Sequence, residues 1–379
     1  MASRSIARRP NGMWRARYRD EAGKEHSRHF ERKKDGERWL DEQTAAMVTG
    51  QYVDPKAGEI TYRQFFADWA ARQVWPPNTD RAMRLASGSV TFGHLPMKAI
   101  RRSHFEQWVK AMQTKDRGEG KPKGLAPGTV KTRIQNVRPV LRAAVRDRII
   151  ASDPSDGFKL PRQRRAEAAM MIPTPAQVRM LLDSAVVPWM RLYIALAAFA
   201  GLRLGEVAGV QRRDINFLGR VLQVTRQVQR DTGAAVLISP PKAGSERPVF
   251  LADGLLNLLS VHVRDMPESP LGWLFLGQDE HPPHQNSVGY WWRKTRAAVG
   301  LEEFDFHDLR HFYASGLIAQ GCDVVTVQKA LGHAKATTTL NTYAHLWPTA
   351  EDRTRKAADS LMAETLADSV RTEKPAQSR

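Results

Sequence analysis

The chain has a single cysteine, no long hydrophobic run, and too few acidic residues to balance its cations. The one cysteine, Cys322, excludes an intramolecular disulfide and a cysteine-based zinc site, and it fits a reducing compartment. Residues 1–10 are basic, but no apolar stretch follows them, so no signal peptide is predicted. The most apolar run, residues 192–202, is too short to span a bilayer. These absences predict a soluble, intracellular protein.

The charge of the chain is strongly one-sided. Lys and Arg number 58 against 40 Asp and Glu, which gives a formal net charge of +18 and a pI near 10.2. Hydrophobic residues make up 42%, enough for buried cores, and 379 residues accommodate two or three domains. A soluble protein this basic typically binds a polyanion, and nucleic acid is the first candidate. The net positive charge alone is also compatible with a basic, soluble protein that binds no nucleic acid.

The first part of the chain predicts a small sheet followed by a helix. A period of two predicts a strand whose two faces carry Trp14, Ala16 and Tyr18 on one side and Arg15, Arg17 and Arg19 on the other. A turn, a returning strand over residues 24–30 and a helix over about 33–49 follow. Arginines on one strand face suit a DNA major groove, and a solvated strand face is an equal alternative.

Residues 59–160 are predicted to be mostly helical and are unusually basic. The helix predicted over 128–150 has one apolar stripe, which is typical of a core-facing side. The segment 110–170 holds 15 Lys and Arg against 6 Asp and Glu. Because a solvated helix normally mixes its signs, this bias favours a surface that follows DNA phosphates. The side chains predicted to contact DNA are Lys131, Arg133, Arg138 and Arg142, together with Arg162, Arg164 and Arg165 in a basic linker over residues 161–171.

From residue 172 a third, larger unit of helices and a few strands is predicted. Thr174 followed by Pro175 has the pattern of a helix N-terminus, and a long apolar helix is predicted over 189–199. Strands are predicted over 221–228, 235–239 and 247–251, and helices with short loops from about 254 to 367. The fold class is therefore α+β and mostly helical.

Several polar residues of the third unit have spacings that suggest chemistry. Arg203 directly follows the apolar helix, where a lone charge is costly, and Glu206 can hold it, if only as a structural ion pair. His307 and Arg310 share a helix face, which pairs a proton-transfer group with a bidentate oxyanion binder. A zinc site at His307 and His311 is disfavoured because no third ligand is obvious.

Tyr343 follows His333 by ten residues. The Thr-rich segment 334–342 between them is predicted to be a connector that places Tyr343 at the start of another helix. A lone tyrosine is usually a half-buried core residue, so this feature is weak when taken alone.

The ordered set Arg203, Lys242, His307-x-x-Arg310, Leu331-Gly-His333 and Tyr343 resembles the tyrosine recombinase family, in its phage-type, lambda-integrase-like form. The local sequence around these residues is similar as well, in Gly201-Leu-Arg-Leu-Gly-Glu206, His307-Asp-Leu-Arg-His311 and Asn341-Thr-Tyr-Ala344. The resemblance covers residues 172–347 and implies the catalytic domain of a DNA breaking-rejoining enzyme. Lys242 is the weakest match, because an ordinary turn lysine between two predicted strands is the alternative.

The resemblance implies a role for each matched residue. Tyr343 would attack phosphorus and form a 3′-phosphotyrosine, while Arg203 and Arg310, supported by Glu206, would clamp the charge on the non-bridging oxygens. Lys242 would protonate the leaving 5′ oxygen, His307 would exchange the tyrosine's proton, and His333 would hydrogen-bond the phosphoryl oxygens. Because the phosphotyrosine keeps the energy of the ester, the resemblance implies no ATP, metal or other cofactor.

The other segments resemble the remaining parts of an integrase. Residues 59–160 resemble a helical, SAM-like core-binding domain, and residues 1–58 resemble a small domain that binds arm-type DNA sites. In residues 348–379 an apolar stripe of Ala358, Met362, Leu366 and Val370 predicts a helix that docks on a neighbouring protomer or, equally, on its own domain. The implied partners are double-stranded attachment sites, a homotetramer on DNA, and accessory DNA-bending and excision-directing proteins, in a bacterial cytoplasm on the nucleoid and away from membranes.

Three functions therefore compete. The local sequence around the matched residues and the two N-terminal units favour site-specific recombination that integrates or excises a phage or mobile element. A type IB topoisomerase shares the same residue types and would relax supercoils without site preference. A non-catalytic DNA-binding protein would bind tightly and form no covalent adduct.

Overall fold

The computed structural model describes residues 4–20, 23–49, 52–116, 118, 123–160, 170–230, 236–265, 269–277, 280–347 and 350–371. Contacts divide the chain into two compact units, Met1–Gln163 and Arg164–Arg379. In the part of the chain that is described, no helix is long and apolar enough to cross a membrane. The predicted linker arginines, Arg162, Arg164 and Arg165, lie outside the described residues.

The first unit begins with an antiparallel sheet covered by one helix. The strands are β1 (Arg4–Arg8), β2 (Trp14–Arg19) and β3 (Glu25–Phe30) in the order β1-β2-β3, and α1 (Lys33–Val48) follows. The alternation along β2 buries Ala16 and Tyr18, which form a core with Leu40 of α1. The predicted strand pair and helix are confirmed. The strand β1 has a weaker alternation, and the sequence did not predict it.

A second hydrophobic core within the first unit is helical. Its helices are α2 (Tyr62–Ala71), α3 (Pro77–Gly88), α4 (Arg102–Thr114) and α5 (Pro127–Arg146). The apolar stripe of α5 is buried against the aromatic residues Phe105 and Trp108 of α4, both 0% exposed. Removing this stripe from water is the main stabilisation of the helices. The division of the chain into three domains remains a prediction.

The second unit opens with three helices around a large apolar core. These are α6 (Pro175–Asp183), α7 (Pro188–Ala200) and α8 (Leu204–Ala208). Thr174 caps α6 by accepting a hydrogen bond from the backbone N–H of Gln177, whose side chain accepts one from Thr174 in return. The middle of α7 is buried on every side, which explains why its sequence is apolar throughout.

The strands described in the second unit form two sheets. The strands β4 (Ile215–Asn216), β5 (Val221–Val224) and β8 (Arg247–Phe250) pair in the order β4-β5-β8, while β6 (Gln227–Arg230) pairs with β7 (Val236–Ser239). The prediction of one strand over 221–228 is therefore wrong. The strand breaks at residues 225–226 because Arg226 turns towards Asp214 and the carbonyl of Gly209.

Among the described residues of the unit, six further helices follow: α9 (Asp253–Asp265), α10 (Gln285–Ala297), α11 (Phe306–Ala319), α12 (Val324–Leu331), α13 (Ala336–Tyr343) and α14 (Ala350–Arg371). The helix α11 packs along α7. Tyr343 is the last residue of α13, so the prediction that a connector places it at the start of a helix is wrong. The Thr-rich segment is helical itself because packing, with Thr339 and Tyr343 buried, overrides the low helix propensity of threonine.

Candidate active site

Arg203 is positioned by a sharp turn at the end of α7. Gly201 has a φ of 65°, and a Cβ there would lie 2.4 Å from the ring of Tyr313, so only glycine fits. The chain then reverses into α8, and Glu206 of α8 accepts hydrogen bonds from the backbone N–H and from Nη1 of Arg203, at 3.0 and 2.5 Å. The side chain of Arg203 keeps 28% of its surface exposed. It is therefore oriented but still open to a ligand.

Glu206 is held in turn by a buried arginine that the sequence analysis did not identify, Arg247. Nη2 of Arg247 donates to Oε2 of Glu206 at 2.9 Å, and its Nε donates to the carbonyl of Ala330 at 3.0 Å. Burial opposes the charge of Glu206, but the hydrogen bond from Arg247 and the charges of Arg247 and Arg203 outweigh it and lower the pKa of the carboxyl. The carboxylate is thus ionised and bridges the two arginines.

Arg310 lies on α11 with only 1% of its surface exposed. Its Nη1 donates to the carbonyl of Gly201 and its Nη2 donates to the carbonyl of Leu331, which are at the C-terminal ends of α7 and α12. Burial and the neighbouring charge of Arg203 lower the pKa of Arg310 to about 9, so the guanidinium stays charged at neutral pH. Helix C-termini favour a cation, so both carbonyls stabilise it there.

His333 follows the left-handed turn that ends α12. Gly332 has a φ of 63°, and a Cβ there would lie 2.8 Å from Nη1 of Arg247, so a larger residue would displace that arginine. Nδ1 of His333 lies 2.9 Å from Oγ1 of the buried Thr339, which fixes the ring. Burial and the charge of Arg310 lower the pKa of His333 to about 4, so the ring is neutral at pH 7.

Tyr343 is 1% exposed and lies in a small apolar cluster with Ala314, Ile318, Val327 and Leu331. Its hydroxyl lies 2.7 Å from Nδ1 of His311. Burial raises the pKa of Tyr343 to about 12, against the opposing charges of Arg310 and Arg203, so the phenol is protonated at neutral pH.

His307 lies one turn before His311 on α11. The two rings meet edge to face with their centroids 4.8 Å apart. Burial and the charges of Arg310 and Arg203 lower the pKa of His307, so this ring is also biased to the neutral form. His307 and Arg310 both lie on α11, three residues apart, which agrees with the predicted common helix face.

Lys242 lies in an exposed turn, Lys242–Gly244, between β7 and β8. These two strands belong to different sheets, so the turn does not close a hairpin between them. Ser245, at the end of the same turn, accepts a hydrogen bond from Nη1 of Arg203 at 3.3 Å. The turn therefore reaches the arginine cluster through Ser245, while Lys242 itself projects from the surface.

The residues predicted to bind DNA differ in exposure. Arg17, Arg19, Lys131 and Arg142 are exposed, and Arg15 and Arg133 are partly buried. Arg138 has a structural role, because its Nη2 donates to the carbonyls of Ser155 and Phe158 and ties the chain after α5 back onto that helix. That role was not visible in the sequence, where Arg138 appears as one of several basic residues on a helix.

The structure thus brings Arg203, Glu206, Arg310 and His333 together around the ends of α7 and α12. Tyr343 hydrogen-bonds to His311, which lies on the same helix as Arg310. The sequence analysis missed Arg247, Ser245, Thr339 and the contact of His311. A signal existed for Arg247, since it precedes Val249 with the period of two that marks the buried face of a strand.

Comparisons with known proteins give the family of the chain. The phage integrase family matches residues 174–349, and the N-terminal domain of phage integrases matches residues 5–49. The ICEBs1 integrase of Bacillus subtilis is 26% identical over 63% of this chain and 67% of its own length. Transposase A from transposon Tn554 of Staphylococcus aureus is 31% identical over 45% of this chain, which spans about half (47%) of that protein.

A solved structure of the Tn1549 transposon integrase in complex with circular intermediate DNA has a TM-score of 0.69 to this chain at 21% identity, covering 79% of this chain and 99% of that one. This likeness confirms the mostly helical fold. The ordered residues around Arg203, Arg310 and Tyr343 lie inside the matched segment 174–349. The chain belongs to the phage integrase family of tyrosine recombinases.

Proposed function

We propose that this protein is a site-specific DNA recombinase that integrates or excises a mobile element by forming a 3′-phosphotyrosine at Tyr343. One observation carries the proposal. Two guanidiniums, Arg203 and Arg310, are fixed around the ends of α7 and α12, and a tyrosine hydroxyl is held by the helix that carries one of them. This arrangement suits attack on a phosphodiester.

The arginines would stabilise the transition state. A phosphodiester repels nucleophiles because its oxygens are negative, and in-line attack increases the charge on the non-bridging oxygens. Preorganised cations at those oxygens lower the barrier without reorganising during the reaction. Arg203 is held by Glu206, and Arg310 is held by two carbonyls, so neither guanidinium has to be ordered when DNA binds. His333, fixed by Thr339, would donate a further hydrogen bond from its Nε2.

Protons must move on both sides of phosphorus. When the Tyr343 oxygen bonds to phosphorus, its proton leaves, and the bond from phosphorus to the 5′ oxygen breaks. The leaving 5′ oxygen takes a proton, and Lys242 is the proposed acid because its exposed turn is joined to Arg203 through Ser245. A 5′-hydroxyl from another strand then reverses these steps and releases Tyr343.

The rest of the chain would organise the DNA. Recombining two duplexes requires four strand cuts, and each tyrosine makes one bond, so we propose a tetramer on paired attachment sites. The sheet β1-β2-β3 would bind arm-type sites through Arg15, Arg17 and Arg19, and DNA-bending and excision-directing proteins would set the geometry. On α14 the side chains of Leu361 and Met362 are 67% and 63% exposed, which suits docking on a neighbouring copy.

Covalent trapping tests the proposal. Wild type and Tyr343→Phe are mixed with a nicked suicide duplex carrying the element's attachment site, and the products are separated on a denaturing gel. A slow-migrating protein–DNA band in wild type only is expected. Absence of that band on a duplex that demonstrably binds would leave a DNA-binding protein. Relaxation of supercoiled plasmids lacking the attachment site would instead indicate a topoisomerase.

A further inference from the structure

His311 is the polar side chain nearest to the nucleophile. Its Nδ1 lies 2.7 Å from the Tyr343 hydroxyl, and the two ring centroids are 5.5 Å apart. Apolar side chains, Ala314, Ile318 and Leu331 among them, pack around the tyrosine, and the charges of Arg310 and Arg203 act on its phenol. In the described part of the chain, the phenol has no second hydrogen-bond partner. With 1% of the tyrosine exposed, bulk water is a poor route for its proton.

We propose that His311 is a further catalytic residue, which holds the Tyr343 hydroxyl at Nδ1 and accepts its proton as the phenolic oxygen attacks phosphorus. This inference rests on the proposed recombinase function. In this step a bond forms between the Tyr343 oxygen and phosphorus, and the bond from phosphorus to the 5′ oxygen breaks. The O–H bond of the phenol breaks as well, and its proton moves to Nδ1 of His311. The 5′ oxygen receives its proton from the opposite side, where Lys242 is the proposed donor.

The protonation state of His311 fits an acceptor. Burial, together with the charges of His307 and Arg310, lowers the pKa of His311 to about 4, so the ring is neutral at pH 7. For Nδ1 to accept from the phenol, the ring proton must lie on Nε2. The free protein therefore holds the hydroxyl with an acceptor that does not yet remove its proton.

Binding of DNA would strengthen this acceptor. A phosphodiester placed against Arg203 and Arg310 brings a negative charge that offsets their positive charges. One cause of the low pKa of His311 is the charge of Arg310, so a bound phosphate moves that pKa upwards. The base would thus gain strength only when the scissile phosphate is in place, which protects the nucleophile when DNA is absent.

The other ionisable groups near α11 do not replace His311. His307 meets the ring of His311 edge to face, and its positive charge, when it is protonated, lowers the pKa of His311. On the elements packed against α11, Tyr193 of α7 donates to the carbonyl of Leu204, and Lys329 of α12 and His345 after α13 form no hydrogen bond with Tyr343 among the described residues. The phenol is therefore in contact with His311 and not with His307, to which the sequence analysis assigned its proton.

The experiment compares single-turnover cleavage of the nicked duplex by wild type, His311→Asn and a control, Ser315→Ala, from pH 6 to 9. Asparagine occupies the position of Nδ1 but cannot be protonated. Ser315 lies one turn further along α11, and within the described residues its hydroxyl donates to the carbonyl of Phe312 alone. Circular dichroism and gel shift establish folding and DNA binding, and His311→Gln replaces the asparagine variant if that variant does not fold.

We expect His311→Asn to cleave on the order of 10²–10⁴-fold more slowly at pH 7, the range of general base catalysis. Its rate should rise roughly tenfold per pH unit, because the phenolate fraction limits it below the pKa of Tyr343, whereas wild type and Ser315→Ala change little from pH 7 to 9. A 5′-bridging phosphorothiolate, whose thiolate leaves without a proton, should rescue Lys242→Ala but not His311→Asn.

Three results would overturn the inference. They are a His311→Asn rate within about threefold of wild type, an equal slowing at every pH, which would mean a structural role, and rescue of His311→Asn by the phosphorothiolate. Each of these leaves the wild-type covalent adduct in place. If wild type itself forms no adduct, the proposed function fails instead, so the two failures are distinguishable.

Discussion

Two buried arginines of the second unit and the arginines of the N-terminal sheet carry the same charge in opposite settings. Arg247 and Arg310 are almost fully buried, and their donors are directed to fixed acceptors, the carboxylate of Glu206 and backbone carbonyls. In contrast, the side chains of Arg17 and Arg19 on β2 are 51% and 57% exposed, and both approach the single carboxylate of Glu25, at 4.0 and 3.6 Å.

The contrast corresponds to two proposed ways of binding phosphate. A buried guanidinium with fixed partners is preorganised for one charge at one position, and removing any partner leaves an uncompensated group. Exposed arginines sharing one carboxylate can rearrange towards a flexible polyanion, and salt screens them. Mutation of Arg247 or Arg310 should therefore cause a large loss of stability or of cleavage. Mutations in the N-terminal sheet should change DNA affinity only slightly, and the change should depend on salt concentration.

The largest effect is expected for Arg310→Lys. Lysine keeps the positive charge but cannot donate to the carbonyls of Gly201 and Leu331 together while facing a phosphate. Single-turnover cleavage should fall about 10³-fold, as expected when a preorganised donor to the transition state is lost. DNA affinity, measured by gel shift, should change little, because the net charge of the protein is unchanged.

Arg179→Lys is the matched control, since Arg179 is an exposed arginine of α6 that pairs with Asp183. It should leave cleavage unchanged. Cleavage by Arg310→Lys within tenfold of wild type would mean that charge alone suffices, and the contrast between fixed and adaptable arginines would lose its basis.

Arg247→Met tests the buried bridge through stability. The variant leaves Glu206 with Arg203 as its ion-pair partner, and breaking a buried pair costs about 3 kcal/mol of unfolding free energy. The double variant Arg247→Met with Glu206→Gln should recover part of this loss, because the buried carboxylate that lost one of its two arginine partners is no longer charged. Urea unfolding at pH 7 measures both.

The pH dependence of the same variant sharpens the test. In wild type the pKa of folded Glu206 is lowered, so its ionisation adds stability at neutral pH, and this is lost as pH falls through the folded pKa. In Arg247→Met the main group that lowers the pKa of Glu206 is removed, and burial then raises this pKa. Protonation of Glu206 at lower pH therefore reduces the destabilisation of the variant. The stability gap between variant and wild type should therefore narrow from pH 7 to pH 4. A constant gap would show that lost packing, and not charge, causes the destabilisation.

Much of the fold and of the site could be predicted from local sequence. The alternation in β2, the capping pattern at Thr174 and the stripe of α5 are interactions between near neighbours, and each was found. Arg203 with Glu206 and His307 with Arg310 are spaced three residues apart, so their proximity is also local.

The parts that could not be predicted depend on long-range contacts. Arg247 appears as one more basic residue until Glu206, 41 positions away, is placed beside it. His311 reaches Tyr343 across 32 positions, and Arg226 breaks a strand by turning to Asp214 and Gly209. No periodicity encodes such pairs. The position of Tyr343 in its helix was wrong because threonine has a low helix propensity, which tertiary packing overrides here.

The smallest effect is expected on the N-terminal sheet, for Glu25→Gln. This change removes the carboxylate that approaches Arg15, Arg17 and Arg19 but keeps the size of the side chain. If the sheet binds arm-type DNA, the affinity of the full chain for an arm-site duplex should rise about threefold at low salt, since a charge pair exposed to water is worth at most about 1 kcal/mol. The gain should disappear at high salt.

Glu37→Gln, which removes a charge paired with Lys33 on α1, is the control and should give a smaller gain. Equal gains from both variants would indicate a net-charge effect, and reduced affinity in Glu25→Gln would mean that the carboxylate is needed to orient the arginines. Fluorescence anisotropy at two salt concentrations distinguishes these outcomes.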